Sequence, residues 1–330
     1  MIQQVLSQYD LGHAALVEPL GNAGGFSGCQ LWQIRTVVGE FCLRKWTQPK
    51  PSFGRLQMIH NVLQHTYRSG CDFVAVPLKT KTGETLFRFD NDHWEVTEWM
   101  PGKADFSGDP NDVRLASAVH AIARFHVAAS TIDRFTLPNT GSENLRNVLD
   151  NLQHVELTIA NVAKQKHEIQ SPLLLLLLRN AQQHILPIAK QLQNRIQPFL
   201  DTVFTNQPVI RDVWHDHVFF VGNKVSGLVD FGALSIDIVS FDLARLLGSL
   251  VGDQPQRIQW ALDVYQQTRE LSEAERELVP LLDSCGVVIG AVNWLKWLVV
   301  EKRQFESEEA VEKRISTLSS RLGNMAIEFS

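Results

Sequence analysis

The chain has 330 residues, 44% hydrophobic and 20% charged, which suits an ordinary soluble globular protein of about two domains and excludes collagen-like, mucin-like and largely disordered classes. Thirty-one Lys and Arg against 36 Asp and Glu leave a formal charge of −5, without the basic surplus or stripe of a nucleic-acid binder. Four scattered cysteines suit reduced thiols in the cytoplasm; no signal-peptide pattern opens the chain, and its longest apolar block, the six leucines 173–178, falls far short of the ~20 residues a bilayer span needs, so no membrane association is expected.

From residue 17 to 100 short apolar runs alternate with turn residues, as in a sheet. Strands are predicted over 29–35 and 41–46, with a turn at Val37–Glu40 between them. A helix follows, carrying Leu56, Ile59, Leu63 and Tyr67 at helical spacing. Further strands are expected over 73–78, 85–89 and 94–99, giving a mostly antiparallel sheet with one helix inserted after its third strand. Beyond Pro101-Gly102 the pattern turns helical, over 113–129, 145–166 and 172–195, the last started by Ser171-Pro172 and bent at Pro187. Residues 208–230 interrupt it with a predicted hairpin, 218–221 and 225–229 about Gly222-Asn223-Lys224. Helices are then expected over 241–251, 256–269, 273–282, 287–303 and 308–329. The fold class is α+β: a small β-rich N-terminal lobe, 1–99, joined at Met100-Pro101-Gly102 to a larger, mainly helical C-terminal lobe, 100–330.

Two carboxylates bracket the hairpin. Asp212 lies in Val209-Ile210-Arg211-Asp212-Val213-Trp214-His215-Asp216-His217, and Asp230 follows in Leu228-Val229-Asp230-Phe231-Gly232. A polar loop, an apolar hairpin and Asp-Phe-Gly would bring both to one end of a small sheet. In phosphoryl transfer such a pair divides the work: one orients the attacking hydroxyl and accepts its proton, the other holds Mg²⁺ against the nucleotide phosphates. Upstream, Leu20-Gly21-Asn22-Ala23-Gly24-Gly25-Phe26-Ser27-Gly28 is a glycine-rich turn whose N–H groups, with the Ser27 hydroxyl, can donate to phosphate oxygens. No Gly-Lys-Ser/Thr follows, so it is not a Walker A loop, and a plain hairpin turn is its other reading.

In their order and spacing these motifs resemble the aminoglycoside phosphotransferase and choline or homoserine kinase-like family, built on a bilobal protein-kinase-like fold. The resemblance covers roughly residues 17–305. It implies Asp212 as catalytic aspartate, Asp230 as metal ligand, and Asp242, in Phe241-Asp242-Leu243-Ala244, as support for the catalytic loop. It makes Glu98-Trp99-Met100-Pro101-Gly102 the hinge whose backbone receives adenine, and likens Ile122-Ala123-Arg124-Phe125-His126 to the family's Leu-Ala-x-Leu-His helix. Gly24, Gly25 and Ser27 would cover the phosphates. Aligned with the family's apolar-apolar-Lys, Cys42-Leu43-Arg44 puts Arg44 at the phosphate-binding cation; Lys45 is the alternative, because neighbours on a strand face opposite ways.

The chain departs from the pattern three times. No acidic residue lies between Arg55 and Arg68 to pair with the cation; Gln57 and His60 are the nearest polar side chains. Five residues after the catalytic Asp the family has Asn, and here stands His217, which suits a softer ion such as Mn²⁺ better than Mg²⁺. Either His217 ligates, or Asp216 supplies an oxygen, or Asp230 holds metal alone. Ile210 replaces the residue two before Asp212 that is usually His. A rival reading takes His215 and His217 as a strand-borne metal pair of another enzyme class; His126 reads as a packed helix histidine.

For the acceptor, Trp260, Trp294 and Trp297 suggest either a wall against a small molecule or plain core packing, and Glu270, Glu273, Glu275, Glu277 and Glu301 either attract a cation or mark solvated helix starts. The expected function is transfer of phosphate from ATP or GTP, with Mg²⁺ or Mn²⁺, to a hydroxyl of a small molecule. The alternative is a degenerate kinase serving as a nucleotide-binding scaffold.

Overall fold

The computed structural model describes residues 1–21, 29–47, 51–305 and 307–328. In chain order the first elements are α1 (Ile2–Leu6), β1 (Ala14–Gly21), β2 (Gln30–Thr36), β3 (Gly39–Trp46), α2 (Phe53–Arg68), β4 (Phe87–Phe89), β5 (Asp92–Glu98) and α3 (Asp112–Ser130). Next come β6 (Leu137–Thr140), α4 (Glu143–Gln153), α5 (Val155–Lys164), α6 (Pro172–Asn180), α7 (Leu186–Ile196) and β7 (Phe204–Val209). The chain ends with β8 (Val218–Val221), β9 (Lys224–Leu228), β10 (Ser235–Asp237), α8 (Ser240–Leu250), α9 (Pro255–Gln266), α10 (Glu273–Leu295) and α11 (Glu308–Glu328). They form two compact units, one of residues 1–135, 208–235 and 267–269, the other of 136–207, 236–266 and 270–330.

The first unit is built on a five-stranded sheet in the order β1-β2-β3-β5-β4, antiparallel throughout. Alternation gives it two faces. Ile34, Phe41, Leu43, Trp94 and Val96 point to one, where Val5, Leu6, Tyr9 and Leu11 close over them and Trp32 stacks on Trp94 at 5.6 Å. The other lies against α2, started by Ser52, whose Oγ accepts from the Arg55 N–H at 3.2 Å, and burying Leu56, Ile59, His60 and Leu63. The β8–β9 hairpin belongs to this unit as well.

The expected strand over 73–78 does not form. Pro77 has no N–H for a ladder, and the segment instead stitches two elements together: Leu78 N–H donates to Val96 O at 2.7 Å, while Leu228 N–H donates to Phe73 O at 2.6 Å. The strand expected from 85 begins only at Phe87.

The second unit is mainly helical, with β6 paired antiparallel to β7. The helix expected over 145–166 breaks at His154 into α4 and α5. The one expected over 172–195 is interrupted by a π turn, Ala181–Ile185, directly before Pro187, which absorbs the missing N–H of the proline. Two expected helices, 273–282 and 287–303, are one: α10 runs through Pro280 and Gly286 and continues in a π turn to Val300. Its Asp283 does not break it because Arg321 of α11 meets both carboxylate oxygens, at 2.5 and 3.1 Å. Residues 273–300 are apolar and long enough to cross a membrane (mean hydropathy 1.6), yet 61% of the apolar stretch is buried within the fold, as in the core helix of a soluble protein.

Candidate active site

The loop after β7 turns sharply at Arg211, which holds a left-handed φ of +71°, and passes Asp212 to a short 3-10 turn, His215–His217. The β8–β9 hairpin then returns the chain. Val229 N–H donates to His217 O at 3.1 Å, and Asp230 follows in a left-handed conformation, φ +62°. Two non-glycine residues in this region, each beside or at a predicted site aspartate, mark strain of the kind that concentrates at functional sites.

His217 lies between the two aspartates. Its Nδ1 is 2.7 Å from the Asp212 carbonyl oxygen, and its Nε2 is 3.0 Å from Trp214 Nε1 and 3.7 Å from Asp230 Oδ2. An indole N–H only donates, so Nε2 accepts, and the ring proton sits on Nδ1 and donates to Asp212. The imidazole is thus locked in one tautomer, with the Asp212 backbone on one nitrogen and the Asp230 carboxylate near the other. The sequence pattern anticipated the proximity of the two aspartate positions but not the indole that fixes the ring. Phe231, stacked on Phe125 of α3 at 5.9 Å, anchors the loop, and Gly232 passes under Trp46, where a Cβ would lie 2.8 Å from the indole ring.

From the sheet, Arg44 donates from Nη1 to Asp230 Oδ1 at 2.9 Å and lies 4.9 Å over the Trp46 ring. Lys45 points to the opposite face, 3.0 Å from Asp92, over Trp94. Of the two candidate cations, Arg44 is the one beside Asp230. The acid that the helix lacks comes from the neighbouring strand: Glu95 is the cross-strand partner of Arg44, its Oε1 3.7 Å from Arg44 Nε, and its Oε2 is 2.7 Å from His60 Nε2 of α2. Burial alone would raise the pKa of Glu95, but the His60 hydrogen bond and charge, with Arg44, outweigh it and lower it. Asp230 behaves alike: burial raises it, and Arg44 with the Gly232 backbone brings it below the usual carboxylate range. Burial disfavours the charge on Arg44, yet Asp230 and Glu95 raise its pKa overall. Glu95 was missed in the sequence because only strand register sets it beside Arg44; His60, named there as a nearby polar side chain, reaches Arg44 through Glu95.

The predicted hinge leaves β5 and runs along the hairpin. Glu98 is exposed and pairs with Phe41, whereas Trp99 N–H already donates to Glu40 O at 2.9 Å, so Trp99 offers no backbone donor to a ligand. Met100 rests on Gly227, where a Cβ would lie 2.7 Å from that of Met100. Gly102, at φ +91°, brings the chain so close to Phe220 that Lys103 and Phe220 exchange two backbone hydrogen bonds, at 3.1 and 2.8 Å. Gly24, Gly25 and Ser27 lie outside the described residues.

His215 and His217 sit in a 3-10 turn and not on a strand, so they do not share a face, and among the described residues no three His, Cys, Asp or Glu side chains cluster as metal ligands. The donor set fits a cation that arrives with phosphates: the Asp230 carboxylate, with His217 Nε2 nearby, can complete a shell made largely of phosphate and water oxygens. His126 is buried inside α3. In the second unit Asp242 is fully buried in the first turn of α8, and Trp294 is buried against Trp297 and Phe305, whereas Trp260 is exposed. Trp294 is core.

A profile of the phosphotransferase enzyme family matches residues 21–281. A homoserine kinase of Bradyrhizobium diazoefficiens is 24% identical over 282 residues, covering 84% of this chain and 78% of that one. Among solved structures, an aminoglycoside phosphotransferase from Alicyclobacillus acidocaldarius matches 99% of this chain and 94% of its own with a TM-score of 0.66 at 14% identity. An amicoumacin kinase in complex with AMP-PNP and Ca²⁺ matches 99% and 92% with a TM-score of 0.65 at 12% identity. The fold is protein-kinase-like, an N-terminal antiparallel sheet with its helix followed by a mostly helical region. The chain belongs to the phosphotransferase enzyme family.

Proposed function

We propose that the chain transfers the γ-phosphoryl group of ATP or GTP to a hydroxyl of a small molecule in the cytoplasm. The observation that carries the reading is the junction at His217: the backbone of Asp212 and the carboxylate of Asp230 meet one tautomer-locked imidazole, and Arg44 stands on Asp230. Asp212 orients the acceptor hydroxyl and takes its proton. Asp230, kept ionised by Arg44, would hold a divalent metal through its carboxylate, and His217 would become a second ligand if Trp214 released Nε2. Bound there, Mg²⁺ or Mn²⁺ would supply neutralising charge for the phosphates. Arg44 grips phosphate oxygens, and the glycine turn with Gly24, Gly25 and Ser27 covers them. Adenine rests against the hinge between Glu98 and Met100, on backbone groups other than Trp99 N–H.

Homoserine is the first acceptor to test, since relatives from Bradyrhizobium diazoefficiens and Janthinobacterium are homoserine kinases. The test combines ATP titration with an acceptor panel containing homoserine, choline and aminoglycosides. Asp212→Asn should abolish transfer and leave nucleotide affinity nearly unchanged; undiminished turnover in that variant removes Asp212 from the mechanism. The second reading is a nucleotide-binding scaffold, favoured by His217 in the place of a carboxamide with its free lone pair taken by Trp214. Nucleotide binding without transfer to any acceptor of the panel would select it.

A further inference from the structure

The face of β3 and β5 that α2 covers carries a continuous line of polar side chains. Glu95 and His60, only 6% and 3% exposed, stand behind Arg44 in it. A carboxylate can only accept, so His60 Nε2–H donates to Glu95, and His60 Nδ1 shares a hydrogen bond with the Thr85 hydroxyl at 2.8 Å. Both oxygens of Glu95 are thereby engaged, one by the imidazole and the other by the ion pair with Arg44 Nε. The opposite end of the same guanidinium holds Asp230.

Removing a guanidinium and a carboxylate from water is costly, and an apolar trio of the same volume would hold the sheet against α2 as well or better. The arrangement is explained by what it does to Arg44. A long, freely rotating side chain would have to be ordered when phosphates arrive; a cross-strand carboxylate fixed at both oxygens orders it beforehand. We propose that Glu95 and His60 are positioning residues for the transfer reaction: Glu95 sets the orientation of the Arg44 guanidinium, and His60 sets that of Glu95. This rests on the phosphotransferase reading above. The pair is a rung of the sheet. Arg44 and Glu95 are direct register partners, so their alignment is set by the sheet, and α2 reaches Glu95 through His60.

The test compares ATP with adenosine, each with Mg²⁺, by competition against a fluorescent nucleotide. Glu95→Gln and His60→Ala should each weaken ATP about tenfold and leave adenosine unchanged, because the effect passes through the phosphates alone. His60→Gln, whose amide N–H can still donate to Glu95, should restore ATP affinity, and Glu95→Gln should add nothing once Arg44 is Gln. Unchanged ATP affinity in Glu95→Gln overturns the proposal; so does an equal loss for ATP and adenosine, the mark of a loosened fold. If melting shows Glu95→Gln unfolded, Glu95→Asp is read by the same comparison. Wild-type protein that binds neither ATP nor GTP overturns the phosphotransferase reading and this proposal together, an outcome distinct from intact wild-type binding with indifferent variants.

Discussion

Alanine at Gly102 separates the geometry of the hinge from the general strain of a turn. Gly102 has φ +91°, and a Cβ there would overlap the Phe220 carbonyl oxygen while lying 2.6 Å from its carbon and 2.7 Å from Ser226 Oγ. Phe220 is a strand backbone and cannot rotate away. The dihedral alone costs about 1–2 kcal/mol. Relieving the overlap breaks the two hydrogen bonds between Lys103 and Phe220, worth about 0.5–1.5 kcal/mol each. The total is about 2–5 kcal/mol. At roughly 2–4 °C per kcal/mol for a domain of ordinary size, melting should fall by several degrees. Gly83 is the control: φ is +89°, but nothing lies within 4 Å of its Cβ position, so Gly83→Ala incurs only the dihedral strain. Differential scanning calorimetry of both variants, with ATP titrations alongside, reads the difference. Gly102→Ala should melt well below Gly83→Ala and bind nucleotide more weakly, since Met100 and Pro101 must shift off the hairpin. Equal melting temperatures would refute the claim that backbone contact with β8, and not the dihedral, makes glycine necessary at 102.

His217→Asn puts an oxygen donor near Asp230 Oδ2, so the preference for Mn²⁺ over Mg²⁺ in ATP-induced thermal shifts should reverse relative to wild type; Trp214→Phe, which leaves the imidazole lone pair unclaimed, should strengthen the Mn²⁺ preference. Identical metal ratios in all three proteins would exclude His217 as a ligand. The lowered pKa of Glu95 predicts an acid limb. A carboxylate depressed on folding stabilises fully above its ordinary value of 4.5 and loses that contribution as pH falls through the lowered value. The gap in urea midpoint between wild type and Glu95→Gln should therefore be widest above pH 4.5 and shrink as the solution is acidified; a gap independent of pH would show that the carboxylate charge is not what stabilises.

The sheet and its helix were legible because each carries a local signal: alternation in β2 and helical spacing from Leu56 to Leu63. What the sequence hid depended on partners far along the chain. Only Pro77, with no N–H to donate, sets the apolar run 73–78 apart from a strand locally; it is Leu228 on one side and Val96 on the other that leave it as single bridges. Likewise Asp283-Ser284-Cys285-Gly286 reads as a helix end until Arg321 and the bare backbone of Gly248 make room for Asp283 inside α10.

The site divides along the same line. Asp212, Asp230 and Arg44 could be nominated as candidates because position within a motif, or parity along a strand, is enough to single them out. Their partners could not, because a partner is chosen by register. The pairing of Arg44 with Glu95 follows from β3 and β5 lying in one register, across an intervening helix and a short edge strand. A shift by one residue would put Trp94 or Val96 beside the guanidinium and turn Glu95 into the apolar cluster under α1. The apolar residues of the opposite face therefore hold the acid in place: Leu43 opposite Val96, and Phe41 in the same buried cluster, can be buried only in the register that also sets Glu95 behind Arg44. Packing on one side of the sheet thus fixes electrostatics on the other, and a reading that weighs the two faces separately finds the cation but not the residue that aims it.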